Sequence, residues 1–272
     1  MTDRPDQRPP VDNPLDPTTL GPLGVEVLPA TPSTNAVVSE RARAGAPEGL
    51  VVVTEHQTAG RGRLDRVWET PAGSALTFSV LLRPQVPPER WPWLPLLTGY
   101  AVAKALAAAG FGASLKWPND VLVGERKVAG ILVERVEGHE GPAAVVGIGL
   151  NVLLTEEQLP VPTATSLLVE SAGLGHPVPD RTALLASLVQ VLREAYGAWQ
   201  AGEPGPATSH LRDSYTRVCS TLGRDVDVAM PDGTTLAGRA TGIDEHGRLV
   251  VAPTTGPEVA VAAGDVVHVR PA

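Results

Sequence analysis

The segment Gly60–Trp68, with the sequence GRGRLDRVW, combines residues that are suited to holding an anion. Its glycines, Gly60 and Gly62, let the backbone approach a ligand closely and adopt conformations that other residues avoid. Its arginines carry forked donors that match carboxylate and phosphate groups. These arginines are Arg61, Arg63 and Arg66. The composition predicts an anion-binding loop, with a solvated basic loop as the alternative.

A second segment, KWPNDVLVGERK at 116–127, gathers more residues that suit phosphate chemistry. Lys116 and Lys127 are suited to contacts with phosphate. Asp120 offers the hard oxygen ligand that Mg²⁺ prefers, and Asn119 offers a polar edge. The proline after the tryptophan disfavours helix, so the Asn-Asp pair is predicted to lie at a bend that follows a strand.

The composition limits the classes of protein to which the chain can belong. Its 272 residues suffice for one large domain, or for a medium domain and a small one. A net charge of -8 and a pI near 5.3 argue against a DNA-binding protein. The single cysteine, Cys219, excludes an intramolecular disulfide, and a structural role is favoured over a nucleophilic one. An apolar signal core and long apolar runs are lacking, which predicts a cytoplasmic protein without a membrane partner.

The elements that must position these segments mix strands and helices. Ser33 or Thr34 is predicted to cap a helix that ends at Gly45, because a hydroxyl can accept from the free N–H groups at a helix start. The apolar patterns predict strands at 50–57, 75–83 (half-buried) and 143–152, and helices at 92–109 and 180–199. The fold class expected is α+β, a mixed β-sheet covered by helices.

Composition changes near both ends of the chain. Residues 1–22 are rich in proline and poor in apolar residues, which predicts a disordered tail. Beyond residue 217, short strands separated by turn signals predict a small β-barrel. The domain organisation expected is a tail at 1–22, a catalytic domain at 23–217 and a C-terminal barrel at 218–272.

Several motifs, taken in chain order, resemble a known family. They are PSTN at 32–35, EHQTAGRGR at 55–63, KWPND at 116–120, RKVAGILVE at 126–134 and GIGLNV at 147–152. Together they resemble the catalytic domain of biotin protein ligases, which has a class II synthetase-like fold. The likeness extends more loosely to that family's C-terminal SH3-like barrel. The proline-rich tail is similar to the ligase-only type, which lacks an N-terminal DNA-binding domain.

The resemblance implies a two-step reaction. Biotin and MgATP give biotinyl-5′-AMP and pyrophosphate, and a lysine of a biotin carboxyl carrier protein then takes the biotin from the adenylate. The first step brings two anions together, so clustered arginines and Mg²⁺ relieve their repulsion. The partner implied is the carrier protein of a biotin-dependent carboxylase.

The resemblance also implies roles for individual residues. Biotin contacts are expected from Ser33, Thr34, Asn35, Gln57, Arg61, Gly62, Arg63 and Lys127. Nucleotide contacts are expected from Arg63, Arg66, Trp68, Lys116, Asn119 and Asn151. The catalytic residues expected are Arg63, Lys127 and Lys116, and Asp120 is the expected Mg²⁺ ligand.

Other interpretations stay open at this point. A lipoate or octanoate ligase shares the general fold, and a biotin-responsive regulator without ligase activity belongs to a different class of protein. A degenerate ligase kept for binding is a further alternative. The pair Leu64-Asp65 departs from the family's small or basic pair after GRGR. The sequence does not indicate whether the chain is a monomer or a dimer.

Overall fold

The structure is a computed structural model that describes residues 13–64, 66–202, 206–230, 232–262 and 264–269. Within these residues the chain forms two β-sheets, one of seven strands and one of five. The helices are α1 (Pro17–Leu20), α2 (Thr34–Arg43), α3 (Trp93–Ala108), α4 (Leu167–Leu174), α5 (Arg181–Ala201) and α6 (Pro206–Val218).

The larger sheet is mixed, as the sequence predicts. Its strands are β1 (Val25–Leu28), β2 (Val51–Thr54), β3 (Ala75–Leu82), β4 (Ala113–Lys116), β5 (Asp120–Val123), β6 (Arg126–Gly138) and β7 (Gly141–Asn151). They follow the order β1-β2-β3-β7-β6-β5-β4. β1 and β2 are parallel, and the other neighbouring pairs are antiparallel.

Strand β3 is buried on both faces, although its alternating pattern predicts a half-buried strand. Phe78 and Val80 belong to the main core together with apolar residues of α3 and α5. Leu81, on the opposite face, packs with Val38 of α2 and Val145 of β7. The prediction of a half-buried strand is wrong because α2 lies over the second face, a tertiary contact that the local pattern does not contain.

Two predicted helices begin with a capping side chain, and the cap of the first is the predicted one. The Ser33 hydroxyl accepts a hydrogen bond from the N–H of Ala36, 3.4 Å away, at the start of α2. Asp180 accepts one from the N–H of Ala183 at 2.8 Å, at the start of α5. Such caps satisfy backbone donors that have no partner within the helix.

The smaller sheet is antiparallel. Its strands are β8 (Asp225–Ala229), β9 (Thr235–Ile243), β10 (Leu249–Pro253), β11 (Val259–Val261) and β12 (Asp265–His268). The order β11-β10-β9-β8-β12 leaves β11 and β12 at the two edges among the described residues, so a closed barrel is not observed there. The Trp93 and Trp117 indoles donate to the carbonyl oxygens of Glu245 and Gly247, at 2.8 and 3.1 Å. These bonds join α3 and the end of β4 to the connection between β9 and β10.

The end of the predicted disordered tail is ordered. Residues 1–12 lie outside the described residues, but Leu15 and Leu20 are buried in the main core. Asp16 caps α1 by accepting from the N–H of Thr18 at 2.9 Å. The prediction of disorder is therefore wrong for 13–22, because two leucines in a proline-rich segment suffice to anchor it. The proposed domain boundary after residue 217 stays a prediction.

None of the described helices is long and apolar enough to cross a membrane.

Candidate active site

The floor of the candidate site is a patch of the larger sheet that lacks side chains. Gly149 of β7 pairs with Gly130 of β6, and both face the Trp68 ring. A Cβ atom at Gly149 would lie 2.4 Å from the ring carbon Cε2, and one at Gly130 would lie 3.3 Å from Cζ3. The indole can therefore lie on β7 only because position 149 is glycine, whereas a Cβ at position 130 would require a shift of a few tenths of an ångström.

A buried polar cluster lies beside this floor, at the start of α2. Both the N–H and the hydroxyl of Thr34 donate to Oε1 of Gln57, at 3.0 and 3.3 Å. The Ser79 hydroxyl lies 2.8 Å from the Thr34 hydroxyl. Ser33 is buried next to them as the N-cap of α2. Donors and acceptors are thus collected where the start of a helix meets the sheet.

Asn35 extends the cluster toward a charged pair. Its Oδ1 accepts from the Ser79 hydroxyl at 2.6 Å, and its Nδ2 donates to Glu134 at 2.7 Å. Arg61 forms an ion pair with the same carboxylate at 3.2 Å. A Cβ at Gly147 would lie 2.2 Å from Asn35 Oδ1, so the packing of Asn35 requires glycine there.

The segment Gly60–Trp68 forms a hairpin over the floor. The N–H of Trp68 donates to the carbonyl of Gly60 at 3.0 Å, and that of Gly62 donates to Arg66 at 2.6 Å. At the tip, the N–H of Arg66 donates to the carbonyl of Arg63 at 3.2 Å, and Leu64 has a φ of 55°. Leu64 therefore adopts the left-handed conformation that this turn requires, while its side chain is 69% exposed. Asp65 lies outside the described residues.

Arg63 reaches from the hairpin to β5 and to the smaller sheet. It donates to Oδ1 of Asn119 at 3.1 Å and to the carbonyl of Gly264 at 3.3 Å. Burial lowers the pKa of its guanidinium, and the charges of Asp265 and Asp120 oppose that shift. Both of these hydrogen-bond acceptors are neutral, and within the described residues Arg63 forms no ion pair. Among these residues, no carboxylate therefore pairs directly with the Arg63 charge, which can attract an anionic ligand.

Arg66 is held differently. It forms an ion pair with Asp265 at the start of β12, and that bond raises the pKa of Arg66. Its side chain is 62% exposed, so the pair is screened by solvent.

Lys127 lies between an aromatic ring and a carboxylate. Its Nζ is 2.6 Å from Oδ1 of Asp120 and 5.7 Å from the centroid of the Trp68 ring. Asp120 directly follows Asn119, the partner of Arg63, so the two cations converge on neighbouring residues. Among the described residues there is no group of three or more His, Cys, Asp or Glu side chains that could hold a metal ion.

Two predicted residues lie at the margins of the site. Lys116 is opposite Asp120 in the β4–β5 pairing, but forms no ion pair within the described part of the chain. Asn151 ends β7, two residues after Gly149 and hence on the same face of the strand. Its amide donates to the carbonyl of Thr165 at 2.9 Å, which fixes its orientation.

Three residues of the site are not among those predicted: Ser79, Glu134 and Asp265. Ser79 has a local signal, because the alternation that directs Phe78 and Val80 to the core turns Ser79 to the other face. Glu134 ends a recognised motif, but its contact with Asn35 spans 99 residues. Asp265 belongs to the smaller sheet, and nothing in the sequence links it to Arg66.

Taken together, these groups can bind an anion and a flat ring at the same time. A cavity of about 290 Å³ is lined by Arg61, Gly62, Arg63, Leu64, Leu132 and Glu134. Trp68 offers an aromatic face, and Arg63 and Lys127 offer positive charge. The polar cluster at the start of α2 can hold a head group that has both donors and acceptors.

Comparison with known proteins reveals similarity along nearly the whole chain. Residues 27–151 match the model of the biotin/lipoate A/B protein ligase family, and residues 221–269 match that of the biotin protein ligase C-terminal domain. The biotin–[acetyl-CoA-carboxylase] ligase of Mycobacterium tuberculosis is 39% identical over 281 residues, which cover 99% of this chain and 100% of the relative. The chain belongs to the biotin protein ligase family.

Further members of the biotin protein ligase family are similar to the chain. The biotin–[acetyl-CoA-carboxylase] ligase of Paracoccus denitrificans is 34% identical, over 87% of this chain and 98% of its own length. The solved structure of the biotin protein ligase from Aquifex aeolicus in complex with biotin and ATP superposes with a TM-score of 0.75 and 27% identity. It covers 91% of this chain and 99% of that structure. The fold class expected from the sequence, including the SH3-like type of the smaller sheet, is thereby confirmed.

Proposed function

We propose that this chain is a biotin–protein ligase. It activates biotin with MgATP to biotinyl-5′-AMP and releases pyrophosphate. The biotinyl group is then transferred to a lysine of a biotin carboxyl carrier protein, the carrier of a biotin-dependent carboxylase. The observation that carries the proposal is Arg63, a partly buried cation whose hydrogen-bond acceptors among the described residues are neutral, and which bonds to Asn119 next to Asp120, the partner of Lys127.

The polar cluster is assigned to the head group of biotin. A ureido group has two N–H donors and one carbonyl acceptor, and the cluster offers hydroxyl and amide groups of both kinds. Ser33, Thr34, Asn35 and Gln57 are each less than 10% exposed, so their contacts would be made out of water. Arg61 and Gly62 would close the cavity above the bound biotin.

The other end of the site is assigned to the nucleotide. Trp68 would stack on the adenine, because the glycine floor holds the ring flat against the sheet. Asn151 would contribute a polar contact from the same strand face. Lys116 and Arg66, which approach from the edge of the larger sheet and from the hairpin, would neutralise the phosphates.

Arg63 and Lys127 are proposed to act on the reacting atoms. The biotin carboxylate attacks the α-phosphorus of ATP, the bond to pyrophosphate breaks, and negative charge develops on the oxygens around that phosphorus. Two cations aimed at this point stabilise the charge, and they need no reorganisation as it forms. In the second step the lysine amine attacks the acyl carbon and AMP leaves.

Mg²⁺ enters as part of the substrate MgATP. A magnesium ion in such sites binds one or two carboxylates together with the substrate phosphates. The single carboxylate of Asp120 fits that requirement, and Asn119 offers a neutral oxygen beside it. Asp120 is paired with Lys127, so binding of MgATP would exchange part of that ion pair for metal and phosphate contacts. The cytoplasm is the proposed location, where ATP is available.

The release of pyrophosphate from MgATP tests the proposal. The wild type is expected to release it with biotin and not with lipoate or octanoate. Arg63→Ala is expected to reduce the rate about 100–1000-fold, the usual cost of losing one preorganised group at a developing charge. Arg135→Ala is the control, since Arg135 is an exposed arginine that pairs with Glu137. Activation of lipoate alone, or an unchanged rate in Arg63→Ala, would refute the assignment.

A further inference from the structure

Arg181, the first residue of α5, is a fully buried cation outside the site described above. Its Nη1 atom lies 2.8 Å from the Glu55 carboxylate and donates to the carbonyl of Asn13 at 3.0 Å. Its Nη2 atom donates to the carbonyl of Ala75 at 2.9 Å. A buried charge requires such partners. Here the partners come from the N-terminal segment, the end of β2 and the start of β3, which meet at one junction.

This junction lies at the two ends of the segment that carries the hairpin. Glu55 directly follows β2, and Ala75 is the first residue of β3. The N–H of Gly73 donates to the Glu55 carbonyl at 2.7 Å, which closes the segment at its base. Gln57, the arginines of the hairpin and Trp68 all lie between these ends. One guanidinium therefore contacts both ends of the chain segment that holds these six proposed ligand contacts, Gly62 included.

The N-terminal segment completes the same network. The N–H of Leu15 donates to the other oxygen of Glu55 at 2.7 Å, and the N–H of Asp16 donates to the Thr182 hydroxyl at 3.0 Å. One Glu55 oxygen thus accepts a backbone hydrogen bond, and the other forms an ion pair with Arg181 without hydrogen-bond geometry. Planar guanidinium geometry allows one side chain to fix several acceptors at set angles, which a lysine cannot do.

We propose that Arg181 is a positioning residue for the ligase reaction, which fixes the base of the segment 55–75 so that its hairpin retains biotinyl-AMP. This inference rests on the proposed function. Within the described part of the chain, the hydrogen bonds and the ion pair of Arg181 reach no residue that we assign to ligand binding, and Arg181 acts on the hairpin through Glu55 and Ala75. Loss of the forked guanidinium of Arg181 would leave the hairpin folded but free to shift at its base.

The test compares three substitutions in the full-length chain. Arg181→Lys keeps the charge and loses the fork, and Glu55→Gln keeps the shape and loses the charge. Arg193→Lys is the matched control on the same helix, because Arg193 donates to the carbonyls of Leu23 and Gly49, away from the hairpin. Two quantities are measured below the melting temperature of each variant: the release rate of biotinyl-AMP, and hydrogen exchange at the Trp68 amide.

Release is expected to accelerate about tenfold or more in Arg181→Lys and Glu55→Gln, since a misplacement of about 1 Å costs up to about 100-fold in a positioned site. Hydrogen exchange at the Trp68 amide is expected to accelerate in the same two variants. In Arg193→Lys, both rates are expected to match those of the wild type. If Arg181→Lys does not fold, Glu55→Gln decides. Wild-type release and exchange in the folded variants would overturn the inference, as would equal changes in Arg193→Lys. Failure of the wild type to form the adenylate would instead refute the proposed function, while the exchange measurement would still report on the hairpin.

Discussion

Substitution of Gly149 by alanine tests whether the nucleotide lies on the Trp68 ring. The added Cβ would lie 2.4, 2.6 and 2.7 Å from ring atoms Cε2, Cζ2 and Nε1 of Trp68. Ordinary contacts between such atoms are about 3.5–4.0 Å, so the ring must withdraw by roughly 1 Å. Gly149 does not have a positive φ, so alanine introduces no backbone strain. We therefore expect a displaced ring in a folded protein.

The displacement has a calculable consequence for catalysis. A shift of about 1 Å in a positioning group can cost about 100-fold, so KM for ATP is expected to rise about 10–100-fold. KM for biotin is expected to change less, because the Trp68 ring forms no hydrogen bond with the polar cluster within the described residues. Pyrophosphate release at varied ATP measures both, and a thermal melt checks the fold. Gly242→Ala is the control, since a Cβ on that strand glycine meets nothing within 4 Å. An unchanged KM for ATP in a folded Gly149→Ala protein would refute the stacking assignment.

Three further substitutions probe other parts of the account. Gly147→Ala would place a Cβ 2.2 Å from Asn35 Oδ1. It is expected to raise KM for biotin about tenfold or more, while KM for ATP stays nearly unchanged. Equal effects on both KM values would contradict the assignment of separate biotin and nucleotide ends of the site. Asp120→Asn breaks the 2.6 Å pair with Lys127 and is expected to slow adenylation about 100-fold, with a higher Mg²⁺ requirement, whereas a normal Mg²⁺ titration would exclude the metal role. Burial lowers the pKa of His268 from 6.5 to about 4, so the unfolded chain binds its proton first and stability is lost as pH falls through that window. His268→Gln is expected to flatten that part of the curve of unfolding free energy against pH, and an unaltered curve would show that His268 is not responsible.

The sequence predicts the elements of the site better than the contacts between them. The caps of α2 and α5 and the strands that flank the hairpin follow from local signals. The glycines of GIGLNV can permit a close approach, but the groups that approach them, Asn35 and the Trp68 ring, depend on strand pairing that no local pattern contains. Such long-range contacts are decided by packing.

Leu64 illustrates a second limit. In the sequence it interrupts a run of arginine and glycine, and its role there is unexplained. In the structure it occupies a turn position with a φ of 55°, which L-residues adopt at a cost of about 1–3 kcal/mol. The burial of Arg181 is likewise not evident from the sequence, because its partners Ala75, Glu55 and Asn13 are 106 or more positions away in the chain.

The covalent product of the reaction tests the central claim most directly. The chain is incubated with biotin, MgATP and a biotin carboxyl carrier domain, and the carrier is examined by mass spectrometry. We predict one biotinyl group on a single carrier lysine, with AMP and pyrophosphate released and no product when ATP is omitted. An unmodified carrier in the presence of all three, or a carrier that accepts lipoate in place of biotin, would contradict the assignment of this chain as a biotin–protein ligase.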